Sequence, residues 1–219
     1  MASSGTYALD FEVAEIVDEA FERCKVDPAT LTQRHARSAR RSLNLLFAYW
    51  ASREVRLFTV DEQTQTLTQG TASYTPASGT LVMLECTIRR SSSDTPVHRI
   101  TREQYAMIPN KTAQGLPSQV FHDRMANVYK LWNTPENSTD VLRYWRMRRI
   151  QDVSTAAETM DVPYAWFEAT AAGLAANLAL KYAPDRHGTL KGMADEAFAH
   201  AQTFSRERAD TSFTMSLGR

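Results

Sequence analysis

Two kinds of side chain in this sequence are spaced closely enough to act together, carboxylates and guanidiniums. Glu12, Glu15 and Glu19 recur at steps of three and four, so a helix turns all three to one side. Two carboxylates facing each other across a cleft can divide the acid and base work of glycoside hydrolysis. A stripe along an N-terminal helix supplies no cleft. Asp10, Asp18 and Glu22 extend the same acidic run, which reads first as a solvated helix face. The five histidines, His35, His98, His122, His187 and His200, have no metal-ligand spacing. No glycine-rich phosphate loop, GxSxG elbow or Cys–His pattern occurs. Cys24 and Cys86 are too few for a disulfide framework or a zinc site and fit a reducing compartment. No catalytic residue, metal or cofactor is expected.

The guanidiniums form two groups. Arg34, Arg37, Arg40 and Arg41 open one segment, and Arg34, Arg37 and Arg41 share a helical face at i, i+3 and i+7. Arg143, Arg146, Arg148 and Arg149 lie along another segment with the alternation of a strand. Either group has the charge to touch phosphate. Neither has the interleaved aromatics of a stacking platform or the setting of a reading helix. The chain balances 25 Lys and Arg against 25 Asp and Glu, so no overall basic field gathers nucleic acid or membrane. Sequence-specific DNA binding is not expected.

The elements that carry these groups follow from periodicity. Asp10–Lys25 reads as a first helix, with Phe11, Ala14, Val17, Phe21 and Cys24 on its apolar face. Asp27-Pro28 breaks the chain, and Thr30 with Gln33 makes a capping-box pattern for a second helix, Thr30–Val55. That helix is basic in its first half and apolar in its second, through Leu43, Leu45, Leu46, Phe47, Tyr49 and Trp50. An acidic helix followed by a basic helix start invites pairing, either within a subunit or between neighbours.

From about Val55 the period changes to two. Leu81–Ile88 puts Val82, Leu84, Cys86 and Ile88 on one side of a half-buried strand. Further strands are expected at Arg56–Val60, Gln65–Gln69, Val97–Ile100, Gln119–Arg124, Val128–Trp132 and Thr139–Ile150, separated by Pro-, Gly-, Ser- and Asn-rich turns. One short helix, Arg102–Ile108, capped by Thr101, interrupts them. In Thr139–Ile150, arginines fall on both faces, and an unpaired buried guanidinium is costly. This strand is expected at an edge or an interface, or to lay its arginine stems over aromatic neighbours.

Helical periodicity returns at Pro163–Ala183, rich in Ala and Gly that permit close approach, and again at Thr189–Asp210, with Leu190, Met193, Ala197, Phe198, Ala201 and Phe204 inward. The expected fold is α+β: a discontinuous bundle of two N-terminal and two C-terminal helices with an inserted antiparallel β-sandwich or barrel-like domain. Its boundaries are set at 1–55 and 161–210 for the helical domain, 56–160 for the β domain and 211–219 for a tail. The N-terminus lacks a basic stretch leading into an apolar run, so no signal peptide is expected. No window reaches 18 uncharged apolar residues, so no membrane anchor is expected either.

Five segments together resemble a known family. They are RHARSARRSLNLLFAYWASREVRLFTV at 34–60, QGTASYTPASGTL at 69–81, YAMIPNKTAQGLPSQVFHDR at 105–124, LRYWRMRRIQD at 142–152 and MDVPYAWFEATAAGLAANLALKYAP at 160–184. In order and spacing, from about residue 9 to 210, they are similar to the head-to-tail adaptors of tailed bacteriophages, the tail accessory or tail-tubular-protein-A-like proteins of short-tailed phages. The resemblance implies a structural virion protein at the head–tail junction, assembled in the host cytoplasm. It implies a ring, commonly of twelve copies, bound to the portal protein on one side and the tail nozzle or tube on the other. DNA passes through the ring without sequence-specific binding. The family has no fixed catalytic pattern, and the tail Thr211–Arg219 is where this sequence departs from it or where the family itself varies.

A ring subunit needs two lateral faces of opposite character. The candidate subunit or portal contacts are accordingly Glu12, Glu15, Glu19, Arg34, Arg37, Arg40, Arg41, Arg143, Arg146 and Arg148. Two other classes compete with an adaptor: a tail-associated cell-wall hydrolase using the acidic stripe, and a monomeric β-sandwich receptor-binding module.

Overall fold

The first helix begins where the acidic run meets its first apolar repeat. In a computed structural model that describes residues 9–52 and 59–204, α1 spans Val13–Arg23 and buries Val13, Ile16, Val17, Ala20 and Phe21. After a short 3₁₀ turn at Pro28–Thr30, α2 runs Gln33–Ser52 and buries Ala39, Ser42, Leu43, Leu46, Phe47 and Trp50. Thr30 lies in that turn rather than capping α2. The Asp27 carboxylate orders the turn by accepting the Ala29 N–H at 2.9 Å, and the Thr32 N–H donates to His35 Nδ1 at 3.1 Å. The expected continuation of α2 to Val55 and the expected strand start at Arg56 lie outside the described residues. So do the end of the last helix, 205–210, and the tail.

The chain forms two compact units. One contains the described parts of Met1–Leu57 and Asp152–Arg219, and the other is Phe58–Gln151. In the first unit, α4 (Phe167–Tyr182) packs against α1, α2 and α5 (His187–Phe204). Its small residues decide how close the neighbours come. Ala169, Ala171, Ala172, Ala175, Ala176 and Ala179 are all buried. A Cβ on Gly173 would lie only 2.9 Å from Leu46 Cδ2. Trp50 and Trp166 meet edge to face at 5.2 Å, and Phe198 of α5 packs on both rings at 5.6 Å. Such aromatic pairs contribute roughly 0.5–1.5 kcal/mol each beyond the area they bury. On α5, Leu190, Phe198 and Ala201 are buried as periodicity predicts, while Met193 and Phe204 are exposed.

The second unit is built on a seven-stranded sheet. Its strands are β1 (Val60–Thr66), β2 (Ser73–Tyr74), β3 (Thr80–Arg90), β4 (Ser93–Arg99), β6 (Gln119–Asp123), β7 (Val128–Trp132) and β9 (Val141–Arg148). They are ordered β1-β9-β3-β4-β6-β7-β2, and β5 (Gln114–Gly115) and β8 (Thr134–Pro135) form a separate parallel pair. The architecture is α+β, as expected. Within the seven-stranded sheet one pair departs from the antiparallel expectation: β4 and β6 run parallel. The chain between them includes α3 (Arg102–Met107), which provides the crossover that a parallel pair requires. Thr101 caps α3 in the expected way, its Oγ1 accepting from Gln104 N–H while Gln104 Oε1 accepts from Thr101 N–H.

The sheet curls. Three strands separate β7, which carries Tyr129, from β9, which carries Tyr144, yet their rings are 6.0 Å apart. Leu67, Met83, Cys86, Ile88, Val97, Val120, Leu131 and Leu142 fill the interior around them. In β3 the inward set differs from plain alternation. Met83 is buried and Val82 and Leu84 are only partly so, because the β3–β9 register shifts between Met83 and Cys86. A bulge of this kind moves every residue before it to the other face.

Candidate assembly surface

The acidic residues of α1 divide into those that serve the helix itself and those that do not. Glu15 accepts the Glu12 N–H at 2.9 Å, tying the carboxylate to the first turn, where it also complements the helix dipole. Glu19 pairs with Arg23 one turn on, at 2.7 Å. Arg23 in turn forks onto Glu168 of α4, at 2.7 and 2.8 Å. This hydrogen-bonded pair holds the Glu168 carboxyl below its ordinary range and the guanidinium above its own. Glu12 and Glu15 therefore close a helix end, and Glu19 belongs to an α1–α4 clamp. They do not face one another as an acid and base pair. The side chains of Asp18 and Glu22, both exposed, have no hydrogen bond or ion pair among the described residues.

The N-terminus of α1 is further held by returning chain. Val13 and Ala14 N–H donate to the carbonyls of Glu158 and Ala156 at 2.9 and 3.0 Å. Asn44 of α2 clasps Val153 through both backbone groups, at 3.1 and 2.9 Å, and Arg40 donates to the Ser154 carbonyl. Arg40 thus has an internal task. Arg34, Arg37 and Arg41 are exposed and make no hydrogen bond or ion pair among the described residues. The outward face they share continues into Leu45, which is 63% exposed one turn beyond Arg41.

The arginines of β9 lie differently from expectation. β9 is not an edge strand; it sits between β1 and β3. Arg146 is 7% exposed, on the same inward face as Leu142 and Tyr144. Asp61 lies opposite it on β1 and accepts from Nε and Nη2 at 2.7 and 3.1 Å. Nη1 donates to the carbonyls of Ala77 and Ser78 and to Thr80 Oγ1. The guanidinium beside it lowers the Asp61 carboxyl from its usual value. Burial is tolerated because the ion is paired and its nitrogens are satisfied. Arg143 bridges Glu62 at 2.6 Å and Asp94 at 3.5 Å, and Arg148 donates to the Arg149 carbonyl at 3.2 Å. These bonds give Arg143 and Arg146 partners inside the subunit.

A further ion pair in this unit joins positions far apart in the sequence. Asp140 is fully buried and receives both Nε and Nη2 of Arg90, at 2.9 and 2.8 Å, while Glu136 pairs with the same Nη2 at 2.8 Å. Only the residue types were visible beforehand; the pairing spans 50 positions. Among the described residues no group of three or more His, Cys, Asp or Glu could hold a metal ion. No helix among them is long and apolar enough to cross a membrane.

Glu12, Glu15 and Glu19 thus act within the helical unit, while Asp18, Glu22, Arg34, Arg37 and Arg41 stay exposed on α1 and α2. The family model described as SU10 adaptor protein covers residues 10–216, so the chain belongs to the SU10 adaptor protein family. This is a family of structural phage proteins, in line with the head-to-tail adaptors that the sequence resembles. No curated protein matches the chain.

Proposed function

We propose that this protein is the ring-forming adaptor between the portal vertex and the tail of its phage. In this reading it closes the filled head, offers a platform to the nozzle or tube protein and continues the DNA channel. Twelve copies is the ring size the family resemblance favours. The protein is placed at the head–tail junction of the virion, after assembly in the host cytoplasm.

The observation that carries the reading is the exposed ladder Arg34, Arg37 and Arg41, without an ion pair among the described residues and set on a helix whose other face is firmly in the core. A net charge of zero supports passage of DNA rather than its retention, since a strongly basic lumen would hold the phosphates. Protein contacts are thus the assigned role of the basic ladder. Electron microscopy of the purified protein mixed with its portal tests the function. A ring capping the portal is the expected image. Absence of any association at saturating protein would overturn the reading.

A further inference from the structure

Glu15, Asp18 and Glu22 on α1 stand at i, i+3 and i+7, and Arg34, Arg37 and Arg41 on α2 stand at the same intervals. Each set is a one-sided ladder with a span of roughly 10 Å along its helix. All six residues are exposed. Asp18, Glu22 and the three arginines have no partner among the described residues, and only Glu15 is engaged, through the Glu12 N–H. Like charges one turn apart repel, and no ion pair of Asp18, Glu22 or the three arginines offsets that repulsion among the described residues. The two ladders belong to the same compact unit, and no ion pair joins them among the described residues.

We infer that the two ladders are the halves of one contact between copies: the basic ladder of α2 docks on the acidic ladder of α1 of the next subunit. This deepens the ring reading above and rests on it. The contact is head to tail, because each copy offers α2 to one neighbour and α1 to the other. Such a contact closes into a ring when the rotation between copies allows.

An antiparallel arrangement of the two helices fits best. It sets Arg41 by Glu15, Arg37 by Asp18 and Arg34 by Glu22, with the rungs matching to within about 1.5 Å of rise. It also carries exposed Leu45 past Glu15 toward the end of α1 that Leu9, 58% exposed, precedes. Exposed ion pairs are individually weak. Three in register steer and orient the encounter, and a small apolar contact at one end keeps it closed.

Charge exchange tests the contact. The variants are R37E/R41E and D18R/E22R in the full chain, neither of which touches an internal bond. Both are expected to keep the thermal unfolding of the parent and to lose self-association by sedimentation at low salt. The parent should assemble at low salt and come apart as salt rises. Mixing the two variants should restore assembly, because each then offers what the other lacks, in strict alternation. Assembly of the parent with either variant unaffected would overturn this contact and leave the ring reading standing, as would failure of the mixture. A parent that stays monomeric at low salt, yet caps the portal by microscopy, would also overturn the contact alone. Failure of both experiments would remove the adaptor reading itself.

Discussion

Arg146 Nε lies 2.7 Å from Asp61 Oδ1 across the β1–β9 register, with the arginine on the buried face of β9. The same guanidinium closes the turn before β3 through the carbonyls of Ala77 and Ser78. Arg146→Ala leaves Asp61 and these oxygens without their donor, and is expected to cost about 2–4 kcal/mol. Arg146→Lys keeps the charge but not the fork, so its loss should be smaller. Urea denaturation reads both; an unchanged midpoint for the alanine variant would contradict a structural role.

This pair marks where the sequence stopped being legible. Helices announce themselves through local periodicity, so the starts of α1, α2, α4 and α5 were readable to within a few residues. The small residues of α4 also signalled close packing. Arginine on both faces of β9 was visible too, but its meaning depended on Asp61, some 85 positions away. Without that partner the cost of burial argued for an edge, and the structure puts β9 in the interior. The bulge in β3 was hidden for the same reason, since a register shift exists only relative to a partner strand. On α1, spacing pointed to Glu12, Glu15 and Glu19 as the one-sided acidic set. That Glu12, Glu15 and Glu19 are occupied within the subunit could be learned only from the fold.

Gly173 tests how closely α2 and α4 must approach. Alanine there gains roughly 1 kcal/mol of helix propensity but must push Leu46 aside, so a small net change is expected. Gly173→Val has no such compensation, being branched at the crowded atom. It should destabilise by about 1–3 kcal/mol. If thermal denaturation shows valine as well tolerated as alanine, the close approach at Leu46 is wrong.

Trp50 and Arg41 separate folding from assembly on one helix. Trp50 is buried against Trp166 and Phe198, and Trp50→Ala should cost about 3–5 kcal/mol through lost burial and a cavity. Arg41→Ala removes an exposed, unpartnered side chain and is expected within about 0.5 kcal/mol of the parent. Its loss should show only in ring formation on the portal. Circular dichroism melts beside portal-binding assays distinguish the two, and an unstable Arg41→Ala would refute the division.

Both cysteines are buried, and burial pushes the Cys86 thiol up to about 12 and raises that of Cys24. Only the thiolate reacts. Iodoacetamide at pH 8 should therefore leave both unmodified in the native protein and label both in urea. Rapid native labelling of Cys86, followed by mass spectrometry, would show that the β core opens readily.

Stability toward acid should depend on the carboxylates held low in the native state. Glu158 accepts from the Ser154 hydroxyl and N–H at 2.6 and 2.8 Å, and these bonds bring its pKa to about 2. Asp61 beside Arg146 and Glu168 beside Arg23 are lowered as well. A carboxylate depressed on folding stabilises the native state above its unfolded pKa, near 4. That contribution fades as pH falls through the folded value. The urea midpoint is thus expected to be insensitive to these groups between pH 6 and 8 and to decline below about pH 4.5. Ser154→Ala should raise the Glu158 pKa toward an ordinary carboxylate and flatten part of that decline. Carboxyl-detected NMR titration follows Glu158 directly, and a native midpoint near 4 in the parent protein would refute the assignment.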